Sequence, residues 1–413
     1  MKLVRVLAPA AAVAVAAALF GIGSVGARSW EQTLVASPTG SGSACTFGEP
    51  CALPTAVQSA GPGATVLAES GTYDVSGLTI TQRLNLQGLG HAVLDASSSN
   101  TADSTNCAGI SSPIYLRGVL ICGPGAAGTS VRGLTVEDAF EEGILAVTTS
   151  DLNIAGNTLI DNDQGFAGQA VDECSGSPEE PGDCGEALHL LSVTDSRVVG
   201  NYVSDNAGGI LLTDELGPTA HNQILSNRSI GNSEDCGITL AGHNGGAVSP
   251  VTGLPIPAAG GVYDNLVSGN ISEDNGVAGQ GAGILLGGGA PYSGVYDNTV
   301  SDNQVYGNGL SGITVHQHFA GDLNGNRIVS NWIGRNNVDG DYDFSPTDPA
   351  TTGILVASGP VAVGPPPPGP LTGTEILFNH ISQDAYGIWT LNANSQVFGN
   401  SFFQVTTQVL QQP

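Results

Sequence analysis

The sequence predicts an all-β protein wound as a parallel β-helix, a solenoid of short stacked strands. Three observations carry that prediction. A unit of the form Asn-x-apolar-x-x-Asn recurs along the chain: NQILSN at 222, NLVSGN at 265, NTVSDN at 298 and NRIVSN at 326. Most copies run straight into a second unit that shares the asparagine, as NQVYGN at 303 does. A short Gly-Ile strand follows each pair: GILL at 209, GITL at 237, GILL at 283, GITV at 312, GILV at 353 and GIWT at 387. The Asn-to-Asn spacing is too short for a helix and suits a brief strand plus a bend. The apolar residue between polar neighbours has the strand period. Asparagine tolerates left-handed backbone, so it is expected to be the bend residue and to stack from coil to coil as a ladder of amide hydrogen bonds. One coil cannot bury its own apolar face, so stacking alone makes the core.

The elements follow in chain order. Residues 1–27 have the composition of a bacterial-type signal peptide: Lys2 and Arg5, an Ala/Val-rich run through Phe20, and small residues before Ala27. An uncleaved membrane anchor is the alternative for this stretch. No later segment is apolar enough to span a membrane, so a secreted, extracellular protein is expected, without a membrane partner after cleavage and as a monomer. Residues 28–44 are expected to be a linker. Residues 45–413 are expected to form a single domain, with a cap over 45–63, coils from about 64 to 405 and a tail over 406–413.

Composition narrows the partners. The formal net charge is −27, and the single lysine is Lys2. Such a chain is not a nucleic-acid binder, because phosphates need Lys and Arg. An acidic polymer would need a bridging cation or a local arginine cluster. The seven cysteines suggest disulfides in an exported chain. Local pairing joins Cys45 to Cys51, Cys107 to Cys122 and Cys174 to Cys184. Cys236 is then left over, as a buried thiol or as a sign of a different pairing.

Through its Asn-x-apolar and Gly-Ile units, the chain resembles the right-handed parallel β-helix proteins of the pectin-lyase-like superfamily, over about residues 65 to 405. The resemblance implies a solenoid of roughly ten coils. It also implies a short amphipathic helix near Pro54–Ala60 that caps the open end, and a substrate groove along a wall of loops. The fold hosts lyases, hydrolases, epimerases, adhesins and binding proteins, so function must come from the site.

The loops after the Gly-Ile strands leave one edge of the coils and differ greatly in length, which marks them as the candidate wall. With Ile facing inward, the residues one, three and five places later face out. That places His189, Thr213, Thr239, Gly287 and His316 outward, and it aligns Glu215, His243, Gly289 and His318 in one column. Neighbouring coils lie about 4.8 Å apart, so the glycines leave a gap between histidines that a sugar ring or hydrated ion would fill. Asp214, Glu215, His243, His316, His318 and Asp322 are the candidate catalytic residues. A carboxylate and an imidazole across a groove suit acid/base work, and two carboxylates suit glycoside hydrolysis. His189, Thr213, Thr239, Gly287, Gly289 and Tyr292 are the candidate substrate contacts. His316 and His318 also have the spacing of a metal-binding pair, and a plain polar surface is the third reading of the same residues.

Three acidic stretches compete for attention. EDAFEE at 137–142 reads as an insertion. DECSGSPEEPGDCGE at 172–186 offers Asp172, Glu173, Glu179, Glu180 and Asp183 as oxygen donors for a Ca²⁺ ion. DGDYDFSPTD at 339–348 places Asp339, Asp341 and Asp343 at alternate positions but lacks the Glu of an EF-hand loop.

The expected function is that of a secreted carbohydrate-active protein that cleaves an extracellular polysaccharide or cell-wall glycan by acid/base chemistry. A hydrolase is favoured over a lyase because no lysine base exists downstream of Lys2. The alternatives are a non-catalytic cell-surface or carbohydrate-binding β-helix and, third, a metal-handling periplasmic-type β-helix. The last is disfavoured by the single methionine, since Cu(I) sites use Met and Cys.

Overall fold

A computed structural model describes residues 32–75, 77–100, 118–162, 186–243, 260–278, 281–317, 319–338, 351–359 and 368–413. The expected signal peptide, Cys107, Cys174, Cys184, His318 and both candidate Ca²⁺ loops lie outside the described residues. From Gln32 to Pro413 the chain forms one compact unit.

Every strand pairing among its three sheets is parallel. The Gly-Ile strands make an eleven-stranded sheet running from Leu78–Ile80 to Thr407–Gln412. A 21-stranded sheet holds the paired strands of the Asn units, such as Thr299–Ser301 and Gln304–Tyr306. A third sheet joins Thr219–Ala220, Val262–Tyr263 and Val295–Tyr296.

Stacking builds the core in columns. Ile210, Ile238, Ile284, Ile313, Ile354 and Ile388 lie one above another and are fully buried. Val198, Ile224, Val267, Val300, Ile328 and Ile376 do the same from the Asn sheet. Each contributes about 1.5–3 kcal/mol of apolar burial. The glycine before each isoleucine has a steric cause. A Cβ built on Gly209 would lie 2.1 Å from the Gly237 carbonyl oxygen, so the coils cannot stack with a side chain there.

The asparagines form three ladders. One runs Asn157, Asn201, Asn227, Asn270, Asn303, Asn331, Asn379 and Asn400, each Nδ2 donating to the next Oδ1 at 2.9–3.1 Å. A second runs from Asn162 to Asn336 and a third from Asn222 to Asn326. The bend itself is not made by these residues. Positive φ falls on the preceding residue, as at Gly200 (φ 63°), Ser226 (52°) and Asp302 (57°). The ladder asparagine must keep its amide aligned with its neighbours, so the strained conformation sits one residue earlier.

Two boundaries move. Thr33–Ala36, inside the expected linker 28–44, pairs in parallel with Ala64–Ala68 and buries Leu34, Val35 and Ala36. Thr407–Gln412, inside the expected tail 406–413, pairs with Tyr386–Leu391 as the last Gly-Ile-sheet strand. At the N-terminal end, the helix Leu53–Ser59 starts with Pro54 in its first turn and buries Leu53, Ala56 and Val57 in the core. Cys45 and Cys51 are bonded, Cys122 is disulfide-bonded, and Cys236 is a buried free thiol.

Candidate functional site

The outward positions of the Gly-Ile sheet are occupied as the strand alternation predicts, but they do not line an open groove. His189, Thr213, Thr239 and His316 are all buried, as are Leu145, Leu191 and Leu211 beside them. The expected groove is therefore closed over these residues, whereas Leu285 on the same face and the rim at Glu215 and His243 reach solvent.

Along that rim runs one hydrogen-bonded chain. Glu142 Oε1 lies 3.2 Å from His189 Nδ1. His189 Nε2 lies 2.7 Å from Thr213 Oγ1. The Thr213 hydroxyl donates to Glu215, and the other Glu215 oxygen lies 2.7 Å from His243 Nδ1. Four coils supply these groups: Glu142 stands just before the strand Ile144–Val147, His189 lies on the adjacent strand, Thr213 and Glu215 belong to the next coil, and His243 follows the strand Ile238–Gly242 of the one after.

Proton counting orders the chain. A hydroxyl has one proton, and Thr213 spends it on Glu215. Thr213 therefore accepts from His189, which must carry a proton on Nε2. The Glu142–His189 contact then needs one more proton between them, held as an imidazolium beside a carboxylate or as a neutral ring beside a carboxylic acid. Burial pushes the Glu215 carboxyl up. The His243 hydrogen bond and charge, then His189 and Thr213, outweigh that and hold it at about 2. Glu215 is thus a carboxylate at every ordinary pH, with about a third of its side chain exposed at 35%.

Asp214 has a different part from the one expected. Its buried carboxylate accepts from the backbone N–H of His243 at 2.8 Å and from that of Gly261. It ties together the two chain segments on either side of residues 244–259 and does not face a groove. Asp322 also leaves the candidate set. It sits on another edge, bridged to Gly294, and its Oδ1 accepts from Asn324 Nδ2 at 2.7 Å. Among the described candidates Asp214, Glu215 and Asp322, two carboxylates of a glycosidase type do not converge at the rim.

The remaining candidates are spread out. Gly287 pairs with His316 and with Ala241. A Cβ there would touch the Leu285 side chain at 3.4 Å, an ordinary contact, so the space beside Gly287 is already filled, and the gap expected between His243 and His318 involves a residue outside those described. Gly289 follows the strand Ile284–Gly288, and Tyr292 stands in the following turn with φ 64° and a backbone bond to Ala320. Thr239 lies between Leu211 and Leu285. Among the described residues, no group of three His, Cys, Asp or Glu is placed to hold a metal ion.

Glu142 is the functional candidate that sequence reasoning missed. It belongs to EDAFEE, whose Glu137 ends the strand Ser130–Glu137 and whose last two residues are buried just before Gly143. Its position directly before a Gly-Ile strand, one coil before His189, was the available signal.

No known protein family matches the sequence, and no curated protein does. Among solved structures, the chain is similar to PfbA, a surface adhesin of Streptococcus pneumoniae, at 12% identity and a TM-score of 0.50, covering 86% of this chain and 88% of that one. It is also similar to pectate lyase Pel9A (14% identity, TM-score 0.46, 90% and 78% covered) and to a family 28 exopolygalacturonase of Yersinia enterocolitica (11%, 0.46, 92% and 78%). At these identities the likeness is one of fold. The chain is a right-handed parallel β-helix. Among the described residues, no helix is long and apolar enough to cross a membrane.

Proposed function

We propose that this β-helix is an exported, carbohydrate-active protein that works on an extracellular polysaccharide at the Glu215–His243 rim. The carrying observation is the hydrogen-bonded chain from Glu142 through His189, Thr213 and Glu215 to His243. Burying the Glu142–His189 carboxylate–imidazole contact is costly, and such arrangements concentrate where proton transfer is needed. In this reading His243 is the acid/base group. Glu215 orients its ring and stabilises its charged form, and the buried Glu142–His189–Thr213 segment fixes Glu215. Because Asp214 is bound to amides and Asp322 lies elsewhere, the chemistry rests on one imidazole with carboxylate support.

Assays for reducing ends and for unsaturated products, on a panel of neutral and uronic polysaccharides, test this and separate hydrolysis from elimination. His243→Gln is expected to lower kcat/KM about 10²-fold or more, the usual share of a general acid/base. Thr213→Val should lower activity less and shift its pH profile, since it removes the link that positions Glu215. Undiminished activity in His243→Gln overturns the reading.

A non-catalytic glycan-binding protein is the second reading, favoured by the closed groove over His189, Thr213 and His316. Retention on a glycan without turnover by the wild-type protein would select it.

A further inference from the structure

The 21-stranded sheet carries a feature that the rim does not use. The first residue of the second strand in each Asn unit points outward, and these residues stack in register: Tyr202, Arg228, Ile271, Gln304, Trp332 and His380. Tyr202 and Trp332 are exposed at 40% and 52%, among the largest exposed hydrophobic groups of the described chain. The Trp332 ring stacks on the His380 imidazole, with centroids 4.2 Å apart and planes 23° from parallel. His380 is held in turn by Ser401 Oγ at 2.7 Å from Nδ1. The aromatic group is thus fixed in place while half of it faces water.

Charge sets this strip apart. In a chain with 37 acidic and 10 basic residues, none of these six positions holds a carboxylate. Arg132, Arg197, Arg228 and Arg327 all lie exposed on strands of this sheet. In the neighbouring column the Glu375 carboxylate is paired with Arg327 at 2.8 Å. Aspartates instead occupy bends that flank the strip, at Asp302 before Gln304 and at Asp205 and Asp274 after Tyr202 and Ile271.

We propose that this column is a second binding track, for one extended saccharide chain lying along the solenoid axis. Its anchors are the aromatic groups of Tyr202 and of the Trp332–His380 stack, four coils apart, or about 19 Å. The coil spacing of about 4.8 Å is close to the length of one hexose residue, so successive sugars meet successive coils. Rigid, half-exposed aromatic rings cover the apolar faces of sugar rings at low entropic cost. Arg228 and Gln304, between the anchors, offer hydrogen bonds to hydroxyls or to uronate groups. The track is independent of the rim and holds whether the rim catalyses or only binds.

The test is titration of the full protein with a neutral β-linked glucan hexasaccharide and with a uronate hexasaccharide, read by calorimetry and by tryptophan fluorescence. At least one hexasaccharide should bind and quench the emission. Trp332→Ala and Tyr202→Ala should each weaken binding about tenfold or more with unchanged thermal midpoints, and Trp332→Phe should retain most of it. His243→Gln should bind as the wild type does. That result separates the track from the rim, because the same variant is the one expected to lose turnover. Failure of both hexasaccharides to bind overturns the track. So does wild-type affinity in both Trp332→Ala and Tyr202→Ala, or loss of binding in His243→Gln.

Discussion

Asp384 stands where the second asparagine ladder calls for an amide. Its Oδ1 accepts from the Asn336 N–H at 3.0 Å, while Oδ2 has no hydrogen-bond partner among the described residues. Burial pushes the carboxyl up to about 7, against the opposing amides of Asn336 and Arg335. A raised carboxyl favours the folded state when protonated. Its stability contribution is full below the unfolded value of 3.8 and is lost as pH rises through about 7. Asp384→Asn should therefore raise the thermal midpoint at pH 8 by the equivalent of a few kcal/mol, at about 1.4 kcal/mol per pKa unit, and leave it nearly unchanged at pH 4. Glu215 has the opposite sign. Its depressed carboxyl stabilises the fold above the unfolded value of 4.5, and that contribution is lost as pH falls toward 2. Comparing Glu215→Gln with the wild type from pH 6 to pH 2 should show the two midpoints converging on acidification. At this scale the sequence was partly legible. Alternation from Ile210 and Ile238 placed Thr213, Glu215 and His243 on the correct face. It did not show that Asp214 turns toward two backbone amides, because a carboxylate in a loop has no period to follow.

The ladders and the Gly-Ile strands act as elements. Asn303 illustrates what one ladder position holds: Nδ2 donates to Val267 O at 3.0 Å and to Asn331 Oδ1 at 2.9 Å, and Oδ1 accepts from the N–H and side chain of Asn270. Replacing it with alanine strands a buried N–H and a buried carbonyl, each costing about 1–3 kcal/mol. Denaturant unfolding of Asn303→Ala should show a loss of about 2–5 kcal/mol, whereas exposed Gln304→Ala should stay within about 0.5 kcal/mol. Gly209→Ala should be as damaging as Asn303→Ala, since its methyl group would collide with a backbone carbonyl that cannot move alone. The repeat showed where both residue types recur. It did not show which residue takes the positive φ, because Gly, Asp, Ser and Asn all tolerate that conformation.

Across the whole molecule each coil touches its neighbours, so stability should vary along the axis. The last strands, Ala393–Phe398, Ser401–Phe403 and Thr407–Gln412, leave Phe398 and Phe403 exposed at 68% and 66%. Hydrogen exchange should be fastest there and slowest in central strands such as Ile238–Gly242 and Ile284–Gly288. Equal protection along the axis would contradict a solenoid stabilised by nearest neighbours. The sequence by itself determined the coil, the inward columns, the stacking of asparagine amides and the outward face of the Gly-Ile strands, because each depends on a local period that stacking repeats. Only the tertiary structure decided that this face is closed over His189, Thr213 and His316, that Glu142 completes the chain to His243, and that Tyr202 and Trp332 share a column. Those contacts join residues 20 or more positions apart across coils with loops of unequal length. Their alignment depends on which coil lies beside which, and no local pattern records it.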